Sequence, residues 1–162
     1  MTVDLTSGFQ TLLAAMTPLG ELRFSIPLAI YQLNLPWYQA LAWSLIGNMV
    51  PVFPLIWGME HGGGRLERSA NRLGRLLHRR AERLRATQGR RFQKYGALAL
   101  AAFVGVPLPF TGAWSGVLAA WVFQIPARQA IPAIALGVLG AGIIVTIVTV
   151  TGAAIGRLIL VQ

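Results

Sequence analysis

Glu21 and Arg23 stand two positions apart inside a stretch of Pro, Gly and apolar side chains, and the next charge after them is Glu60. A carboxylate withdrawn from water holds its proton more readily, and a nearby arginine opposes that. Glu21 is therefore a candidate proton carrier. Arg23 stays charged and presents a planar donor fork suited to a carboxylate or phosphate. On a regular helix residues i and i+2 point apart, so a direct pair requires an irregular turn or a second protomer. Glu21 also complements a helix N-terminus, and the Arg23 stem can snorkel to a surface. Other chemistry is scarce. The chain has no cysteine, and both histidines, His61 and His78, lie in a basic stretch away from any acidic cluster. No metal site, catalytic triad or phosphate-cradling loop is legible. The expectation is a protein that is not an enzyme and carries no cofactor.

The elements that must position this pair are apolar. The 162 residues are 55% hydrophobic and 12% charged, against about 25% charged in a soluble domain. Residues 24–59, 95–127 and 129–156 contain no charge. Each run exceeds the roughly 20 residues that a helix needs to cross a bilayer. Eleven of the fourteen basic residues fall in residues 65–94, with Glu67 and Glu82, so this segment alone carries the net charge of +9. Basic loops stay cytoplasmic. Leu66, Ala70, Leu73, Leu77, Ala81 and Leu84 form one apolar stripe, which predicts an amphipathic helix lying on an anionic leaflet. Arg68, Arg72, Arg75, Arg79 and Arg83 are its membrane-surface residues. Nucleic acid is excluded as a partner, because a soluble protein has nowhere to hide such apolar runs. The first residues lack a basic n-region, so a cleaved signal peptide is not expected.

The two apolar halves align when shifted by 90. Ser25/Ser115, Leu28/Leu118, Ala29/Ala119, Pro36/Pro126, Gln39/Gln129, Ala40/Ala130 and Gly47/Gly137 are identical pairs. Each half has a break, at Pro18-Leu19-Gly20 and at Pro107-Leu108-Pro109. The pieces on either side of the first are too short to cross the roughly 30 Å hydrocarbon core. Two short helices around a Pro-Gly break predict a re-entrant hairpin. Hairpins are expected at 5–34 and 92–124, and spanning helices at 36–58 and 126–160. Full spans at 5–33 and 95–124 are the competing layout, which leaves the breaks without a purpose. A hairpin plus one crossing inverts its copy, so the repeat is an inverted one with its site at the repeat interface. The resulting single membrane domain has a first repeat at 1–59, a cytoplasmic basic helix at 60–94, a second repeat at 95–162 and both termini outside.

Two half-helix starts then face each other near the midplane, where free N–H groups favour an anion. The expected proton or substrate site is Glu21, Arg23, Pro18, Gly20 and Pro27 from the first hairpin. Pro107, Pro109, Thr111, Gly112 and Trp114 come from the second. Thr111 is expected to cap the following half-helix and Gly112 to permit close approach. Ser25 and Ser115 are candidates for bonds across helices, and Gly47, Gly137, Gly140 and Gly142 for close helix packing. Trp37, Tyr38 and Trp57 read as interface anchors. Asn48 is expected to be satisfied by a neighbouring helix.

PLGELRFSIP at 18–27, VPLPFTGAWSGVLAAWV at 106–122 and GVLGAGIIV at 137–145 resemble the small multidrug export protein family of prokaryotic membrane proteins. That resemblance implies efflux of small molecules. Paired re-entrant hairpins with acidic and Arg residues also resemble the DedA/VTT group, which implies movement of lipids or lipid carriers. Glu21 and Arg23 match that type, whereas Thr111 stands where the second hairpin would carry a charge. The expectation is an all-α protein of the prokaryotic inner membrane that exports a small or amphiphilic solute, with Glu21 as the candidate for proton coupling. A lipid or lipid-phosphate translocase is the alternative within transport, and a non-transporting scaffold the alternative outside it. Two crossings enclose little volume, so a homodimer among membrane lipids is expected.

Overall fold

Proline sets the first boundary. The computed structural model describes residues 5–18, 20–59, 95–107 and 111–160, with side chains up to residue 152. The basic segment 60–94 and Pro109 lie outside the described residues, so the five arginines of the predicted surface helix do too. Helix α1 (Leu5–Met16) stops because Pro18 has no N–H to give the Ala14 carbonyl. That carbonyl instead accepts from the Thr17 N–H at 3.3 Å and the Thr17 hydroxyl at 2.9 Å. The hydroxyl also receives the Gly20 N–H at 2.8 Å. A Cβ on Gly20 would collide with the Ala14 carbonyl, so the turn closes only with glycine.

Helix α2 (Glu21–Tyr31) follows, with Pro27 inside it. Asn34, at φ 52, turns the chain out of α2. Pro36 then opens α3 (Trp37–Met49), its carbonyl taking the N–H groups of Gln39 and Ala40 at 2.9 and 3.0 Å. The helix continues as α4 (52–59) after an irregular pair at Val50 and Pro51, where Pro51 offers no N–H to the Gly47 carbonyl. In the second half come α5 (Tyr95–Gly105), α6 (Ala113–Val122) and α7 (Ala127–Leu160). The end of α6 is a Schellman motif: Gln124 sits at φ 54, its N–H bonds Trp121 O, and Ile125 N–H bonds Ala120 O. Pro126 then accepts from Gln129 and Ala130 at 2.8 and 2.9 Å. Positions 90 apart thus share a left-handed residue and a proline-led helix start.

Contacts fix the helix directions. Gly8 of α1 meets Trp43, and Ala15 meets Gly47, so α1 runs parallel to α3. Ser25 of α2 bonds Ser44 at 2.9 Å, while Ala29 and Leu35 cluster with Ala40, so α2 runs against α3. Helices α1 and α2 are therefore antiparallel, and neither 5–33 nor 95–124 forms one unbroken helix. Leu22 of α2 approaches Gly142, and the Tyr31 hydroxyl donates to Thr149 O at 2.7 Å, so α2 runs with α7. Gly116 of α6 packs on Val104 of α5 and Ile134 of α7. The start of α6 at Gly112 shares a cavity with Val138 and Ala141, and Gly116 one turn on meets Ile134, so α6 runs against α7. Helices α2 and α6 both begin beside the middle of α7 and depart in opposite directions.

Two helices, Trp37–Met59 and Ala127–Gly152, are long and apolar enough to cross a membrane. Leu136, Ile147 and Val148 on α7, and Ile46, Phe53 and Trp57 on α3 and α4, are more than half exposed. Such a belt is unfavourable in water and natural against lipid. Trp37 and Tyr38 pack edge to face, 5.8 Å apart, at the start of α3. The close-packing glycines divide. A Cβ on Gly47 would strike the Leu12 backbone and Ala15, one on Gly137 the Ala101 carbonyl and Val104, and one on Gly142 the tip of Leu41. Gly140 has nothing within 4 Å, which corrects the expectation that it mediates helix approach; it faces away from the neighbouring helices. Gly47→Val should therefore lower stability by about 1–3 kcal/mol through overpacking. Gly140→Ala should leave it unchanged within about 0.5 kcal/mol; unfolding in mixed micelles measures both.

Candidate functional site

Glu21 opens α2 at φ 23, a left-handed backbone that no regular helix contains. This distortion resolves the i, i+2 problem. It swings the carboxylate back beside its neighbour, and Arg23 Nη2 reaches Glu21 Oε2 at 3.3 Å. The same Nη2 donates to the Thr111 carbonyl at 2.7 Å, across 88 residues of sequence. The Glu21 side chain is 12% exposed and that of Arg23 31%. Charges so placed require partners, and here each has the other, with the Thr111 carbonyl as a third group.

Gly112 completes the contact. Its backbone is extended, at φ 165, so conformation does not call for glycine. Space does: a Cβ there would occupy the position of the Glu21 carboxylate. The start of α6 therefore lies directly against the acid. Thr111 does not cap this helix, contrary to expectation. Its hydroxyl donates to Val106 O at 2.6 Å and ties the break to the end of α5. Ser115 does the capping, receiving the Gly112 N–H at 2.9 Å and donating to Gly112 O at 3.1 Å. Ser115 thus serves its own turn, whereas Ser25 makes the expected bond across helices. A second link joins the hairpins: Trp114 Nε1 donates to Met16 O at 3.2 Å.

Glu21, Arg23, Pro107, Thr111 and Gly112 line one small cavity with Leu22, Asn48, Val104, Val138 and Ala141. Its free volume, about 10 Å³, is that of a single water. Asn48 is the centre of the 23-residue span Trp37–Met59, and Val138 and Ala141 bracket the centre of Ala127–Gly152. The cavity therefore sits near the middle of both long apolar helices. Pro18 and Gly20 shape the turn in front of Glu21. Pro27 lies one turn beyond Arg23 and gives the Arg23 carbonyl no N–H. Trp114 contributes the brace to Met16 and does not line the cavity. Asn48 corrects the sequence reading. It is 1% exposed, and its Oδ1 has no hydrogen-bond partner. Its central position in the span was the available signal.

A second recess, about 230 Å³, lies between α5 and α6 among Leu100, Phe103, Phe123 and Ile125. It is apolar, shares no residue with the polar cavity and offers no group for chemistry. Among the described residues no cluster of His, Cys, Asp or Glu can hold a metal ion.

Residues 21–144, about three quarters of the chain, match the family described as "Putative small multi-drug export protein". The chain belongs to this family. The match begins at Glu21 and takes in α2 to α6 and the first half of α7, so the whole polar cavity falls within it. Neither the comparison with curated proteins nor that with solved structures returned a significant match. The description is that of an exporter and not of an enzyme class, and the two apolar spans agree with a membrane location.

Because the carboxylate rests on Gly112, the two positions are energetically coupled. Gly112→Ala should cost about 1–3 kcal/mol. In a Glu21→Ala background the same change should cost at least about 1 kcal/mol less. Equal costs in both backgrounds, measured by unfolding in mixed micelles, would separate the two residues.

Proposed function

We propose that this family member is a secondary transporter that exports a small or amphiphilic solute in a proton-linked cycle through Glu21 and Arg23. The observation that carries the reading is the ion pair itself. Its acid is largely withdrawn from water, and the pair is held at the starts of α2 and α6, near the middle of both apolar spans. Charges in a membrane interior are costly and mark function by default. Two half-helix starts that meet at one point supply N–H groups for an anionic part of a solute. Proton uptake by Glu21 would release Arg23 to bind that group, and proton loss would expel it. The cavity has room for about one water, so this conformation is a closed one and a larger solute requires the hairpins to part.

The same reading takes α1–α2 and α5–α6 as re-entrant hairpins of an inverted repeat. Their antiparallel helices, too short to span, and the recurrence of the Asn34 and Gln124 bends 90 residues apart support it. With residues 60–94 cytoplasmic, both termini face outside. Two crossings per chain favour a homodimer in the prokaryotic inner membrane. The chain has no cysteine, so single introduced thiols report without background. Gln32→Cys should react with an impermeant maleimide only from outside, and Gln124→Cys only from the cytoplasmic face. Labelling of both from one face would remove the inverted arrangement.

Transport is tested in liposomes enclosing a pH-sensitive dye. An external amphiphilic anion such as anilinonaphthalene sulfonate should drive proton flux, reduced at least about tenfold by Glu21→Gln and by Arg23→Ala. Flux indifferent to both variants would remove this site. Movement of fluorescent phospholipid analogues in place of the soluble anion would favour a lipid translocase, and absence of any flux a scaffold.

A further inference from the structure

We propose that Asn48 is the second partner of Glu21, the acceptor that receives the carboxyl when it carries a proton. The proposal deepens the proton-linked reading above and rests on Glu21 being the titrating group. Buried polar atoms are hydrogen-bonded with few exceptions, so an orphan calls for a reason: strain, an ordered water, or a partner that arrives in another state. Asn48 Oδ1 is such an orphan, on a side chain 1% exposed. Asn48 lines the same small cavity as Glu21 and Arg23. An amide oxygen only accepts. An ionised Glu21 has no proton to give it, whereas a protonated Glu21 does.

The other elements around the cavity supply no competing charge. Helix α3 contributes Asn48, and α5 with its following turn contributes Val104 and Pro107. Thr111 and Gly112 lead into α6, α7 contributes Val138 and Ala141, and α2 contributes Leu22 and Arg23 besides the acid. The Thr111 hydroxyl is engaged with Val106 O. Among these lining residues the only titrating choice is between Glu21 paired with Arg23 and Glu21 carrying a proton. A proton arriving on Glu21 Oε2 ends the 3.3 Å contact with Arg23 Nη2. The new O–H turns from Arg23 and donates to Asn48 Oδ1, which lies on a residue of the same cavity. Arg23 keeps the Thr111 carbonyl and gains free N–H groups for the anionic part of the solute. The site charge rises from zero to +1, and the proton leaves by the reverse path.

The test uses the full-length protein in liposomes and infrared difference spectra between acidic and neutral pH. The wild type should give a protonated-carboxyl band that Glu21→Gln abolishes. Asn48→Val removes the acceptor. It should move that band to higher wavenumber and lower its pH midpoint by about one unit, because the protonated form loses a hydrogen bond. Asn48→Thr, of the same shape as valine but with an oxygen, should restore part of both shifts. Asn48→Ala replaces the valine variant if that does not fold. Loss of stability alone moves neither band position nor midpoint in the folded fraction. A band and midpoint unchanged by Asn48→Val or Asn48→Ala overturn the proposal. If proton flux still requires Glu21 in that case, the transport reading survives alone. Shifts as expected without any solute-driven flux keep the Glu21–Asn48 pair and remove transport.

Discussion

One guanidinium holds the two halves of this protein in register. Arg23 donates to the Thr111 carbonyl at 2.7 Å and to Glu21 at 3.3 Å, which ties the turn before α6 to the first turn of α2. Neither helix is long enough to anchor itself across a membrane. Their starting points are fixed by α7, which passes behind both, by this polar knot at their junction and by the Trp114–Met16 bond beside it. An ion pair of this kind contributes little when wet and becomes consequential when water is kept away. The apolar wall of Leu22, Val104, Val138 and Ala141 keeps it away.

Much of this arrangement was legible in residue order. Proline lacks an N–H and glycine a Cβ, and both facts act locally. The breaks at Pro18-Leu19-Gly20 and after Val106, and the helix starts behind Pro36 and Pro126, follow from them. The direct Glu21–Arg23 contact was foreseeable as a conditional, since spacing i, i+2 demands an irregular turn and φ 23 at Glu21 supplies one. Resemblance to the export family, carried by the two break motifs, agrees with a match spanning 21–144.

What residue order did not reveal depends on which way a side chain points after packing. Thr111 and Ser115 are both competent caps, and only the path of the break decides that Ser115 turns to Gly112 while Thr111 turns to Val106. Gly140 and Gly142 are equivalent in composition but face opposite sides of α7, so one touches Leu41 and the other nothing. Asn48 looked like any helical asparagine with a neighbour to bond. Its isolation arises because the wall around it is built of aliphatic side chains and of Glu21 and Arg23, which are engaged with each other and with the Thr111 carbonyl.

The two long-range links between the hairpins are chemically lopsided. Arg23 and Trp114 donate from side chains, while Thr111 and Met16 accept through main-chain oxygens. Every amino acid carries that oxygen, so drift at positions 16 and 111 leaves both acceptors standing. Drift at 23 and 114 deletes a bond outright. The tolerance of these two bonds to substitution is thus distributed unequally, and the donor positions are the ones at which a change of side chain breaks them.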